Sequence, residues 1–264
     1  MPKELGRVVQ LFRYPVKSMH GESLSSAEVT DQGVLGDRSF GIVDQVTGRL
    51  LSAKTVPQLL EARVVLRSDG QAELTLPGRP PFMTDDSDAS RRLSSWLGRD
   101  VAVVRPAANA ESTIDIELDL RARGGGENDL MTFKTRPGMF FDGGPMNILT
   151  TASLLTMARR APSSNWLPER FRPNILIEAG TSDDPTDEFP EDAWVGSTVT
   201  IGGISLEILK RCDRCPLVNR AVASAPADRD VLRALHHEHG GDLGAKAAIV
   251  HGGWVRVGDP VRVV

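Results

Sequence analysis

Short runs of alternating apolar and polar residues, broken every few positions by Gly, Pro or Asp, constrain this chain more than any other feature. Arg7–Tyr14, Ala27–Val29, Arg38–Val43, Ala62–Leu66, Ala72–Leu76 and Val101–Val104 form a first series of strand candidates. Asp44–Gly48 reads as a hairpin loop between two of them. A second series follows at Asn174–Ala179, Thr198–Ile201, Ile204–Leu209, Ala247–His251 and Val261–Val264. Only three stretches carry helical spacing. Ser87–Leu97 places Ala89, Leu93, Trp96 and Leu97 on one face, and Thr151–Ala161 and Ala227–Glu238 are the others. Composition breaks at Pro106–Ala110 and Arg121–Glu127, the second a flexible glycine-rich loop, divide the series. The expectation is a mainly β protein of the α+β class: a β-rich unit over residues 1–105, then a β-barrel-like unit with a few helices over residues 106–264.

The 264 residues suffice for one large or two small cores. A net charge of −4 argues against general nucleic-acid binding, which asks for a basic domain. No apolar run approaches the roughly 18 residues needed to cross a membrane. Two cysteines and a polar start without a signal-like pattern point to a reducing cytoplasm.

Those two cysteines sit three apart in Arg211-Cys212-Asp213-Arg214-Cys215-Pro216. Lys210, Arg211 and Arg214 flank them, and nearby cations lower a thiol pKa from about 8.5 by a unit or more. A thiolate attacks electrophiles and binds soft metals. Other readings stay open: two buried, inert thiols; a dithiol redox pair, since Pro216 can open a helix after the strand; or zinc with His236, His237, His239 and His251. Against zinc, the first three histidines fall in a Glu/Gly-rich, loop-like stretch, and Cys212 to His236 is longer than a zinc-finger spacing.

Cations also stand beside strand edges. Pro15-Val-Lys17-Ser18 follows the first strand, Gly36-Asp-Arg38-Ser-Phe40 precedes another, and Arg170-Phe-Arg172-Pro-Asn174 precedes a third. Each pairs a cation with a hydrogen-bond donor, the ingredients of a phosphate site. Thr150-Thr-Ala-Ser153 opens a helix, whose free N–H groups favour anions, although a threonine there also serves as a plain N-cap. Gly124–Gly126 lacks the spacing of a phosphate loop, and no hydrolase motif is present.

The order Pro-Val-Lys17-Ser18, Gly-Asp-Arg38-x-Phe40, Phe171-Arg172-Pro-Asn174, Cys212-Asp-Arg214-Cys215 and Val257-Gly-Asp-Pro-Val261 resembles the MOSC proteins from residue 7 to the C-terminus. The layout, a barrel-like N-terminal region before a MOSC-type β-barrel, is similar to the amidoxime-reducing component and to bacterial reductases of N-hydroxylated compounds. The resemblance implies a molybdenum cofactor, molybdopterin with its metal, bound through Cys215 as both ligand and catalytic centre. It implies cofactor contacts from Lys17, Ser18, Arg38, Ser153, Arg172, Asn174 and Arg214. It further implies reduction of N-hydroxylated or N-oxide substrates with electrons from a separate ferredoxin- or flavin-type donor protein. A cofactor or sulfur carrier without turnover would use the same pocket. The chain departs from the amidoxime reductases at Pro216-Leu-Val-Asn-Arg220, where they show Thr-Thr-Val and an acidic continuation, and at Asp213, where Ser or Pro is commoner.

Overall fold

The structure, a computed structural model, describes residues 3–106, 113–118, 129–134, 138–140, 144–179, 188–222 and 224–264, with backbone alone at 113–118 and 129–134. Arg121–Glu127, including Gly124–Gly126, and residues 107–110 of the first composition break lie outside them. The chain forms two compact units that interleave in sequence: residues 1–13, 23–35 and 143–264 make one, and residues 14–22 and 36–142 the other.

The first unit is built on seven strands: β1 (Lys3–Arg13), β2 (Met146–Thr150), β3 (Ile175–Ala179), β4 (Thr198–Ile201), β5 (Ile204–Asp213), β6 (Asp242–His251) and β7 (Pro260–Val263). They pair in the order β3-β2-β6-β5-β4-β7-β1, and β1 pairs back onto β3, so the sheet closes into a barrel. All neighbours are antiparallel except β2 and β3. Alternation explains the closure. Val199 and Ile201 of β4, and Ile204, Leu206 and Ile208 of β5, face inward at no more than 1% exposure, while the residues between them face outward. In β1 the alternation shifts at an irregularity between Val8 and Gln10, which leaves Val9 outside and returns Leu11 to the core.

Among the described residues four α-helical segments complete the fold: α1 (Ala89–Leu97), α2 (Thr151–Arg160), the single turn α3 (Pro168–Phe171) and α4 (Asp230–His239). The last corrects the loop reading of His236–His239. Val231 and Leu235 are buried beneath α4, and the helix continues until Gly240 adopts the left-handed conformation at φ 66°. The second unit holds α1 and short antiparallel sheets: Gly41–Asp44 with Val101–Val104, Arg63–Leu66 with Ala72–Thr75 and Phe82–Met83, and Thr113–Leu118 with Asp129–Lys134. The expected hairpin loop at Asp44–Gly48 is present, with the Asp44 carboxylate accepting from the N–H groups of Val46 and Thr47. Among the described residues no helix is long and apolar enough to cross a membrane.

Candidate functional site

Strand β5 runs on past its apolar stretch and carries Cys212 at its end. Cys215 follows with extended backbone, and Pro216 then opens a short 3-10 turn over Pro216–Asn219, closed by Val218 N–H donating to the Cys215 carbonyl at 3.2 Å. This geometry separates the two thiols. Cys212 is buried, its Sγ 3.9 Å from the Asp213 carbonyl. Cys215 is half-buried, and its thiol enters no hydrogen bond among the described residues. Both are free.

The cations that flank the pair are engaged. Lys210 and Lys246 reach Asp213 at 3.3 and 2.9 Å, and Lys246 first of all holds that carboxyl down at about 2. Arg211 bridges Asp192 at 3.3 Å and Asp242 at 2.8 Å. The positive field expected around the thiols is therefore offset by carboxylates, a feature invisible while only the flanking letters are read.

Arg214 turns the other way and ties the cysteine loop to the Phe171–Asn174 element. Its Nε donates to the Leu243 carbonyl at 2.7 Å and its Nη1 to the Phe171 carbonyl at 2.8 Å, while Nη2 meets the Leu243 carbonyl and lies 3.4 Å from Asn147 Oδ1. The guanidinium also lies over the Phe171 ring, 5.4 Å from its centroid. Asn147 donates to the carbonyls of Phe171 and Arg172, and its N–H meets Asn174 Oδ1 at 3.2 Å. The structure thus brings Arg172, Asn174, Arg214 and Cys215 onto one connected framework. Arg170 supports it from below: at 2% exposure it donates to the carbonyls of Val218, Arg220 and Pro226. Burial lowers its pKa, and Asp228 opposes that shift.

Gly244 on β6 is where this framework is tightest. Its φ is +76°, and a Cβ there would stand 2.5 Å from the Ile148 carbonyl oxygen and 3.0 Å from Arg214 Nη2. Gly244→Ala is expected to lower stability by about 1–3 kcal/mol through strain and crowding. Gly78→Ala, with similar φ (+66°) and open space, isolates the backbone part. Urea unfolding of both variants checks the difference, and equal losses would remove the crowding argument.

Ser153 lies on the same unit but faces a different partner. Thr150 is the N-cap of α2, accepting from the Ser153 N–H at 3.1 Å. The hydroxyls of Thr150 and Ser153 then donate to Glu191 Oε2 at 2.6 and 2.7 Å. Glu191 is wholly buried, so the position at this helix start that an external anion would take is filled by a carboxyl group of the protein.

In the other unit, Pro15–Ser18 and Gly36–Phe40 run side by side. Phe40 N–H donates to the Pro15 carbonyl, Lys17 N–H to Phe40, and Arg38 N–H to Tyr14. Buried Asp37 accepts from Tyr14 N–H at 2.6 Å and pairs with Arg38, whose guanidinium lies 4.8 Å from the Tyr14 ring centroid. Lys17, 4% exposed, donates to the Phe140 carbonyl at 3.2 Å. Ser18, Arg38 and Arg172 are the non-glycine residues with left-handed backbone among those described, at φ 67°, 49° and 50°. Each belongs to the set singled out from the sequence, and such conformations, disfavoured for side chains with a Cβ, concentrate at functional sites.

Among the described residues no three His, Cys, Asp or Glu side chains gather as metal ligands would. His239 instead stacks on Phe189, 3.6 Å between ring centroids, and meets Asp192 at 2.9 Å and the Asp242 carbonyl at 2.8 Å. Burial opposes its charge, but the Asp192 carboxylate and the Asp242 carbonyl outweigh it and raise its pKa.

Sequence comparison matches two family models in succession along the chain. Residues 5–113 match the MOSC N-terminal beta barrel domain, and residues 135–262 match the MOSC domain. The mitochondrial amidoxime-reducing component 1 of Mus musculus is 27% identical, over 99% of this chain and 83% of its own length. The Homo sapiens mitochondrial amidoxime reducing component 2 is 24% identical, over 98% of this chain and 84% of its own. The molybdenum cofactor sulfurase of Bos taurus is 22% identical over 86% of this chain, which spans 28% of that protein. Among solved structures, the YUAD protein from Bacillus subtilis superposes with a TM-score of 0.50 at 13% identity, covering 100% of this chain and 98% of that one, a likeness of fold.

Proposed function

The chain belongs to the MOSC family, and from that premise we propose that it holds a molybdenum cofactor through Cys215 and reduces N-hydroxylated or N-oxide compounds. The observation that carries this reading is the contrast between the two thiols: Cys212 is packed away, while Cys215 is half-buried, free of hydrogen bonds among the described residues, and set on a loop anchored by Arg214 and Arg170. The donor set fits the group. A soft thiolate suits a transition metal that is also held by dithiolene sulfurs.

The residues singled out by the motifs take different parts in this reading. Arg214 donates to the Leu243 and Phe171 carbonyls, while Asn174 accepts from the Asn147 N–H through Oδ1 and donates its own N–H to the Asn147 carbonyl, so both hold the loop in place. Ser153 acts through the start of α2. By the motif resemblance, Lys17, Ser18, Arg38 and Arg172 are assigned to the pterin and its phosphate, groups for which cations and oriented N–H donors offset negative charge.

When bound, the metal centre supplies the two-electron chemistry, in which N–OH, two electrons and two protons give N–H and water. The protein's part is orientation and electrostatics. The electrons are assigned to a separate donor protein, because two cysteines cannot hold an iron–sulfur cluster that needs four. The test is metal and pterin analysis of protein made in a molybdenum-replete, cofactor-competent host, followed by turnover with an amidoxime and a chemical reductant. About one molybdenum and one pterin per chain, with turnover, is the expected result. Zinc, or neither metal nor pterin, overturns the reading; both bound without turnover would favour a carrier.

A further inference from the structure

We infer that Arg170 is the positioning residue of the cysteine loop, fixing where the Cys215 thiol points by gripping the main chain that follows it. The inference rests on the reading of Cys215 as the metal ligand and adds a residue that the family resemblance leaves out of the cofactor contacts. Among the described residues Arg170 is one of the most buried charged side chains, 2% exposed, and none of the hydrogen bonds it makes there goes to a carboxylate. Its Nη1 donates to Arg220 at 2.7 Å and Val218 at 3.3 Å, and its Nη2 to Pro226 at 2.7 Å. Its Nε has no partner among the described residues. A guanidinium kept from water at that cost serves the acceptors it holds, because its rigid fork fixes several carbonyls at once.

The carbonyls it holds are one inside and two beyond the turn Pro216–Asn219, whose first hydrogen bond runs from Val218 N–H to the Cys215 carbonyl. Arg214 grips in the opposite sense, from the cysteine loop to the Phe171 carbonyl, one residue after Arg170. The loop is therefore held by two guanidiniums that cross between the same pair of segments. Removing Arg214 would loosen one end of it, and removing Arg170 the other. Neither arginine needs to touch the cofactor to determine the direction in which Cys215 presents its sulfur.

The test uses the full chain purified without cofactor, as wild type, Arg170→Leu and Arg170→Lys. Two rates are read: iodoacetamide labelling of Cys215, resolved from Cys212 by peptide mass, and amide exchange at Val218 against amides of β2 and β6. In Arg170→Leu both Cys215 labelling and Val218 exchange are expected to rise about tenfold while the strand amides keep their rates. Arg170→Lys, with a point charge in place of the fork, is expected to fall between, and it carries the test if the leucine variant does not fold. Unchanged labelling and exchange in the folded variants overturns the inference. So does a rise as large in β2 and β6 as at Val218, which would make Arg170 a staple of the whole barrel. The outcome is independent of metal: a wild type that never holds molybdenum, with labelling still released by Arg170→Leu, leaves the positioning role standing and removes the cofactor reading alone.

Discussion

Cys215→Ala is expected to abolish molybdenum retention, by a factor of about 100 or more, while leaving the fold in place. The two halves of that expectation come from the same geometry. The thiol is half-buried and makes no hydrogen bond among the described residues, so its removal takes little packing and orphans no partner. The cost to unfolding stability is set at under about 1 kcal/mol. The turn itself survives, because its bond uses the Cys215 carbonyl, which alanine keeps. Cys212→Ala is the control and should show the reverse pattern. Cys212 is 5% exposed at the end of β5, so its loss costs packing of about 1 kcal/mol while metal is retained. Metal analysis with urea unfolding on the two variants reads both quantities. Molybdenum retained in Cys215→Ala, or lost only in Cys212→Ala, would show that the wrong sulfur has been assigned.

The strands that were legible are those whose side chains alternate. Thr198–Ile201 matches β4 residue for residue because every second side chain enters the core. Strand β5 extends beyond Leu209 to Asp213, and β6 begins at Asp242, five residues before its clear apolar run. In both extensions polar residues pair through the main chain, as Lys210 with Lys246 and Asp213 with Asp242, and a backbone ladder leaves no mark on side-chain pattern. The partners of β1 were also hidden. Its register with β3 and β7 joins residues more than 160 positions apart, information that local periodicity does not hold.

The site divides in the same way. Motif order could point to Arg172, Asn174, Arg214 and Cys215 because those residue types carry the chemistry. It could not show Arg214 bound to Leu243 and Phe171, or Arg170 bound to Val218, Arg220 and Pro226. The acceptors there are carbonyls, which every residue possesses, so the identity of the partner writes nothing into the sequence. Asn147 and Gly244 escaped for related reasons, one as a strand residue and the other as a position defined by what cannot fit.

Glu191→Ala is expected to cost about 2–4 kcal/mol, whereas Glu191→Gln costs little and changes sign with pH. Two hydroxyls donate to Oε2, and one of them belongs to the N-cap of α2, so alanine removes their shared acceptor, leaves the Thr150 hydroxyl only Ser153 Oγ at 3.0 Å, and opens a cavity. Glutamine keeps a carbonyl oxygen for those donors and nearly the same volume. The charge is a separate matter. Burial, the largest influence, raises the Glu191 pKa; the Ser153 and Thr150 hydroxyls pull it down by less. Its Oε1 has no partner among the described residues, which is where the cost of ionisation falls. A carboxyl whose folded pKa is raised contributes its full stability below the unfolded value near 4.5 and loses it as pH climbs through the folded value. Glutamine has no such loss. The stability of Glu191→Gln relative to wild type should therefore rise from pH 4 toward pH 8, read by urea unfolding across that range. If wild type instead gains on the glutamine variant with rising pH, the helix start and its two hydroxyls stabilise the carboxylate more than burial penalises it. In that case the negative charge at α2 is itself a stabilising part of the barrel.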